Sequence, residues 1–133
     1  MKVFQAATSE MYGVKSVSDK LLTEESKMEP VSPYALSKLA CYHICKYYRA
    51  SFNLDIRQAI SFNHESPFRN ELFVTRKITF HVAKYGDSKL LKLGNVDAVR
   101  DWGHAKDFVK AYHLIMDGES CIEGEDVYVV STG

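Results

Sequence analysis

Nowhere in the 133 residues do about 18 apolar residues run together, the length a membrane-crossing helix needs. Charge of one sign is also missing: 17 basic and 17 acidic residues cancel, and no long block of either sign occurs. Without such a block, the electrostatic case for nucleic acid or an acidic membrane surface is weak, and a small-molecule partner is the default expectation. Cysteine is scarce and odd in number, at three. Cys41, Cys45 and Cys121 cannot all pair within one chain, which fits a reducing compartment better than a disulfide scaffold. The opening residues, Met1 to Gln5, lack a long apolar region followed by a small-residue cleavage site. A soluble, cytoplasmic chain is expected. Cys41 and Cys45 are one helical turn apart with His43 between them, but zinc needs more converging ligands, so they read as buried apolar thiols and no metal is expected.

What the chain does have is enough apolar material, 46%, to build a core. Residues 2–7 are short, mostly apolar and followed at once by polar Thr8, Ser9 and Glu10, the signature of a buried strand ending at a polar edge. Residues 13–32 have no sustained period and read as a long exposed connection. Ser32 and Pro33 supply an N-cap and a proline at the first helical position, where its missing N–H costs nothing. A helix is predicted over 33–52, with Tyr34, Lys38 and Cys41 or Tyr42 on one side and Lys46 and Arg49 marking a wet side, stopping at Asn53. A strand follows at 54–62, and strand, helix, strand makes a βαβ unit of a parallel sheet. A loop over 63–71, a helix over 72–84 ending near Gly86, and a short strand over 89–93 come next. A helix over 102–116 capped by Asp101 and stopped at Gly118, then a final strand over 127–130, complete an α/β order.

Two constellations carry chemistry. Tyr34 and Lys38 stand at i, i+4, so a helix puts phenol and ammonium on one face. A phenol titrates near about 10, and a neighbouring cation favours its charged form, fitting it to exchange a proton with a substrate hydroxyl. The bland alternative is a lysine stem lying over a packed tyrosine. Thr8 and Glu10 stand at the carboxyl end of a strand, where open parallel sheets place ligands. A threonine hydroxyl there suits a reacting oxygen and a carboxylate suits a general base; the alternative is that Thr8 caps the next turn and Glu10 is solvated.

Read together, the segments 7–13 (ATSEMYG), 32–38 (SPYALSK), 62–67 (FNHESP), 73–78 (FVTRKI) and 100–107 (RDWGHAKD) resemble the GDP-mannose 4,6-dehydratase family of extended short-chain dehydrogenase/reductases. The first two are shared across the superfamily; the third and last are narrower. The resemblance implies a partial Rossmann-like, doubly wound parallel sheet with part of a small substrate-binding lobe. Residues 1–62 would be the later part of the sheet, and 63–133 a mixture of lobe and returning sheet elements. It implies Thr8, Glu10, Tyr34 and Lys38 as catalytic residues, with Tyr34 and Lys38 also binding the cofactor and Lys38 holding the nicotinamide ribose. His64 and Arg69 match positions that touch NADP, the implied cofactor, with NAD the other candidate. Asn63, Glu65, Lys77 and Arg100 resemble contacts to GDP-mannose. The alternatives are a structural loop for 63–69, a solvated helix face for Arg76 and Lys77, and a capping or ion-pair role for Arg100 with Asp101. Trp102 reads as packing, and His104 and His113 as core or surface histidines. A homo-oligomer is implied for the full-length family.

The seven glycines never form the Gly-x-x-Gly-x-x-Gly turn on which this fold grips a pyrophosphate. Phe68, Asn70 and a shortened stretch near Gly86 also depart from the family pattern. The expectation is therefore a central fragment, inactive alone, with residues 3–6 left as an uncovered sheet edge. A noncatalytic partner of a full-length dehydratase, another nucleotide-sugar epimerase or dehydratase, and a truncated gene product remain as alternatives.

Overall fold

A computed structural model describes residues 1–13, 21–118 and 126–133. Strand β1 (Lys2–Thr8) runs into a single 3-10 turn (Ser9–Tyr12), helix α1 (Pro33–Phe52) returns the chain, and β2 (Asp55–Ser61) pairs parallel to β1. The pairing register sets Val3 opposite Ile56 and Thr8 opposite Ser61, so both strands end side by side at their carboxyl ends. Strand β5 (Val127–Val130) pairs parallel to the other side of β2, giving the order β1-β2-β5 with β1 at an edge. A second, two-stranded parallel sheet joins β3 (Asn63–Glu65) to β4 (Trp102–His104). Helices α2 (Val74–Tyr85) and α3 (Ala105–Asp117) complete the described elements.

The central strand is the most buried, as expected for a strand covered on both faces. Ala7, Met11, Tyr12, Tyr42, Ile60 and Val127 form one cluster, and each fully buried large apolar side chain contributes about 1.5–3 kcal/mol. Among the charged residues that lie inside, Arg57 is 1% exposed. Its guanidinium pairs with Asp55 at 3.0 Å and donates to the carbonyls of Ile115 and Gly118, at the end of α3 where backbone acceptors would otherwise lack donors. Gly103 lets β4 lie on α3; a Cβ there would sit 2.4 Å from the Phe108 ring.

Helix α1 has the predicted bounds, with the Ser32 hydroxyl accepting from the Ala35 N–H and Asn53 in the left-handed conformation at the C-cap. Its faces differ from the sequence reading. Lys46 and Arg49 belong to the packed side, half-buried with Ala35, Leu39 and Tyr42. Arg49 spans to the Ile56 carbonyl and to the buried carboxylate of Asp126, so a charged residue seals the sheet instead of marking the wet face. Cys41 is exposed, on the uncovered side with Ile44 and Tyr48, and Cys45 is only half-buried; the expectation of buried thiols is corrected. Cys121 lies outside the described residues, as do 14–20 of the long connection. The described part of that connection folds back, the Tyr12 hydroxyl donating to the Thr23 carbonyl at 2.8 Å.

Three further differences share a cause. Residues 89–93 form no strand, because no other strand among the described residues lies beside them to share a ladder. Their carbonyls are taken instead by α2 side chains: His81 donates to Lys89 and Lys77 to Lys92, each at 2.6 Å. The predicted loop at 63–71 begins as β3, whose partner β4 occupies the start of the helix expected over 102–116. Helix α3 therefore starts at Ala105, capped by His104 Nδ1, which accepts from the Lys106 N–H. Asp101 turns away to accept from the Thr132 N–H and hydroxyl, and Trp102 is 46% exposed, so neither the expected cap nor the expected packing role holds. His104 and His113 lie on the surface. Among the described residues no helix is long and apolar enough to cross a membrane.

Candidate active site

The carboxyl ends of β1 and β2 open on a cavity of about 560 Å³, within the range of small-molecule sites, about 300–1,000 Å³. Small side chains, Ala6 and Ala7, form its floor. Thr8 closes β1 in an extended conformation, and its hydroxyl accepts from the Glu10 N–H at 3.3 Å. That bond turns the chain sharply, leaving the Glu10 side chain exposed at the cavity. Thr8 thus caps the next turn and lines the site at once. The turn closes at Gly13, with a φ of +76°, where a Cβ would stand 2.1 Å from the Glu29 carbonyl oxygen.

From the other side, the first turns of α1 contribute Tyr34 and Lys38. The Lys38 ammonium lies 5.8 Å from the Tyr34 ring centroid and donates to the Ala6 carbonyl at 2.9 Å. Tyr34 is 51% exposed, its phenol open to the cavity side of the helix start.

The segment after β2 supplies the third wall, with Asn63, His64 and Arg69. The Asn63 amide donates to the Asp101 carbonyl at 3.1 Å. His64 stacks on Phe108 with ring centroids 4.6 Å apart, and its Nδ1 stands 2.8 Å from the Phe62 carbonyl. A carbonyl only accepts, so Nδ1 carries a proton and Nε2 is the ring atom left for a ligand.

The cavity therefore unites seven of the residues singled out in the sequence: Thr8, Glu10, Tyr34, Lys38, Asn63, His64 and Arg69. Three others stand elsewhere. Glu65 lines a neighbouring cavity of about 440 Å³ with Thr75, Arg76 and His104. Lys77 is exposed and spends its ammonium on the Lys92 carbonyl, and Arg100, also exposed, donates to the Val99 carbonyl at 2.7 Å.

A model of the family described as GDP-mannose 4,6 dehydratase matches residues 1–133. The chain belongs to the GDP-mannose 4,6-dehydratase family. It is 46% identical to the human GDP-mannose 4,6 dehydratase over 100% of this chain and 35% of that protein. To the Vibrio cholerae GDP-mannose 4,6-dehydratase it is 44% identical, over 99% of this chain and 34% of that protein. It thus spans about a third of the length of the curated relatives it matches. Among solved structures it resembles dTDP-glucose 4,6-dehydratase of Bacillus anthracis in complex with NAD, with a TM-score of 0.85 and 27% identity over 98% of this chain and 40% of that one. It is similar, too, to the RMD protein of Pseudomonas aeruginosa complexed with NADPH, with a TM-score of 0.85 and 26% identity over 98% of this chain and 43% of that one. The α/β reading with a Rossmann-like parallel sheet holds.

The cavity also has lining residues to which the sequence reading gave no role in the site. Ser61 and Tyr112 share a hydrogen bond of 2.7 Å, and burial pushes the Tyr112 phenol up while the bond to Ser61 works the other way. Ser61 could have been found by counting, since a one-to-one register with β1 puts it beside Thr8. Tyr112 arrives from α3, 51 residues away, and no local pattern announces it. Phe73, also on the cavity, packs its ring 3.6 Å from the Arg69 guanidinium carbon.

Proposed function

We propose that this chain supplies the proton-transfer residues of an enzyme that dehydrates GDP-mannose to GDP-4-keto-6-deoxymannose. The observation that carries the reading is the meeting of the Thr8/Glu10 strand end and the Tyr34/Lys38 helix face on one sugar-sized cavity. Residues 1–62 serve as the later part of the cofactor-binding sheet, and 63–133 mix substrate-lobe and sheet elements.

The donor set fits a nicotinamide dinucleotide. Lys38 offers an ammonium to ribose hydroxyls, Arg69 a planar fork to phosphate, and His64 a ring nitrogen beside them. NADP is the proposed form. When bound, it supplies reversible hydride transfer, which the side chains of this chain cannot provide.

The residues divide the proton work. Tyr34 takes the proton from the mannose 4-hydroxyl as that carbon is oxidised, with the Lys38 ammonium standing over its ring. Thr8 holds the same oxygen. Oxidation at C4 acidifies the C5 hydrogen, which Glu10 removes as the C6 hydroxyl leaves as water; return of the hydride at C6 and of a solvent-derived proton at C5 through Glu10 would complete the 6-deoxy sugar. Asn63, Glu65, Lys77 and Arg100 were expected to contact the nucleotide sugar. The position of Asn63 on the cavity supports that role for it, whereas for Lys77 and Arg100 it requires side-chain movement away from their present carbonyl partners.

The test is turnover of GDP-mannose by the protein that carries this chain, with NADP present, followed as 4-keto sugar. Formation of that product, lost in Tyr34→Phe, is expected. A protein that binds NADP but turns over only a different nucleotide sugar would replace the substrate assignment.

A further inference from the structure

Glu65 stands in the narrow Asn-His-Glu-Ser-Pro segment, yet the site cavity passes it by. Its carboxylate points instead at two groups. The Thr75 hydroxyl donates to Oε2 at 2.7 Å, and Arg69 Nε lies 3.2 Å from the same oxygen. The pair is largely shielded from water, with side chains 19% exposed for Glu65 and 30% for Arg69. A third contact completes the arrangement, since the Arg69 guanidinium carbon stands 3.6 Å above the Phe73 ring centroid. Backbone bonds hold the loop that joins these residues: the Arg69 N–H donates to the Ser66 carbonyl and the Phe73 N–H to the Asn70 carbonyl.

We infer that Glu65 is a positioning residue, which together with Thr75 and Phe73 aims the Arg69 guanidinium into the active-site cavity, and that it does not contact the sugar nucleotide. The argument is geometric. An arginine has five donors in one plane, and an ion pair with the Glu65 carboxylate together with the Phe73 ring under that plane narrows the orientations open to the two terminal nitrogens. Without these constraints, the long side chain would lose rotamer entropy on meeting a phosphate, so ordering it beforehand strengthens binding. Thr75 has a separate part. By occupying Oε2 it fixes the carboxylate rotamer, so that its loss should loosen Arg69 two contacts away.

This inference rests on the reading that Arg69 meets a phosphate of the dinucleotide. The test is a double-mutant cycle in the full-length protein carrying this segment, with NADP affinity measured by nicotinamide fluorescence and the KM for GDP-mannose measured at saturating NADP. Arg69→Ala is expected to weaken NADP binding by about 10- to 100-fold, the range for losing charge-assisted bonds. Glu65→Ala and Thr75→Val should each weaken it by roughly fivefold to tenfold, with the GDP-mannose KM little changed, and neither should add to the loss in an Arg69→Ala background. Glu65→Gln, which keeps an acceptor for Thr75, should recover part of the affinity. A raised GDP-mannose KM with unchanged NADP affinity in Glu65→Ala would overturn the inference and make Glu65 a substrate contact. So would losses that add in the double variant. If Arg69→Ala itself left NADP affinity unchanged, the phosphate role of Arg69 would fall first, and the positioning role with it.

Discussion

The Lys38 ammonium donates to the Ala6 carbonyl at 2.9 Å, tying the Tyr34 face of α1 to the edge strand two residues before Thr8. One side chain therefore does two things: it sets the spacing between helix and strand end, and it places a positive charge beside Tyr34. Replacing it with methionine keeps the stem but loses charge and donor. Lys38→Met should lower kcat/KM by about 10²-fold or more, because both the phenol's proton transfer and the site's spacing suffer. Steady-state kinetics beside a circular dichroism melt would show this as a loss of rate with helix content retained.

Thr8 has a double duty that two measurements separate. Its hydroxyl accepts from the Glu10 N–H, a capping bond worth about 1 kcal/mol, and it faces the cavity. Thr8→Val is expected to lose both, with stability down by about 1 kcal/mol and kcat down by about 10²-fold. Thr8→Ser keeps the hydroxyl and should keep most of the activity. Denaturant titration and kcat measured on both variants distinguish the two contributions.

Arg57 is the largest fully buried side chain, and its partners are Asp55 and the last carbonyls of α3. Arg57→Met would fill most of the volume but leave that carboxylate and those carbonyls without a donor. A loss of about 3 kcal/mol in unfolding free energy is expected. The reading would be the urea midpoint, with the slope unchanged.

Tyr12 gives the stability a pH dependence. Burial first, and then the nearby charge of Glu24, lift its phenol above the usual tyrosine range. A proton held more tightly in the folded state than in the unfolded one stabilises the fold fully below the unfolded value of about 10. Above that, the unfolded chain loses its proton first and the fold weakens as pH climbs toward the folded value. Urea midpoints should therefore fall as pH rises above about 10, approaching the linkage slope of one proton, and fall less in Tyr12→Phe.

The parts of the fold legible in the sequence were those specified locally. Ser32-Pro33 and Asn53 marked both ends of α1 because caps are written in single residues. The run at 54–62 read as a strand even though its buried length mixes Ile56, Ala59 and Ile60 with polar Arg57, Gln58 and Ser61. What was not legible depended on partners far along the chain. Arg49 reads as a wet residue until Asp126, from the far end of the sequence, is set beside it. The helix start at Ala105 was misplaced because β3 claims 102–104 as its partner strand, and no local rule outweighs a ladder that long-range pairing provides. In the site, Tyr34 and Lys38 could be seen to share a face from their spacing alone. Their meeting with Thr8 and Glu10 followed from the βαβ geometry, whereas Tyr112 reached the same cavity from α3 with no signal in its neighbours.

The central claim assigns Glu10 the C5 proton and Tyr34 the 4-hydroxyl proton in one cavity. It is tested most directly by running the reaction in deuterium oxide and reading the product by mass spectrometry. The account predicts one solvent deuterium at C5 in the unaltered protein, product formation lowered by at least about 10³-fold in Glu10→Gln, and no turnover in Tyr34→Phe. Undiminished product with full C5 labelling from Glu10→Gln would show that another base does this work and would contradict the account.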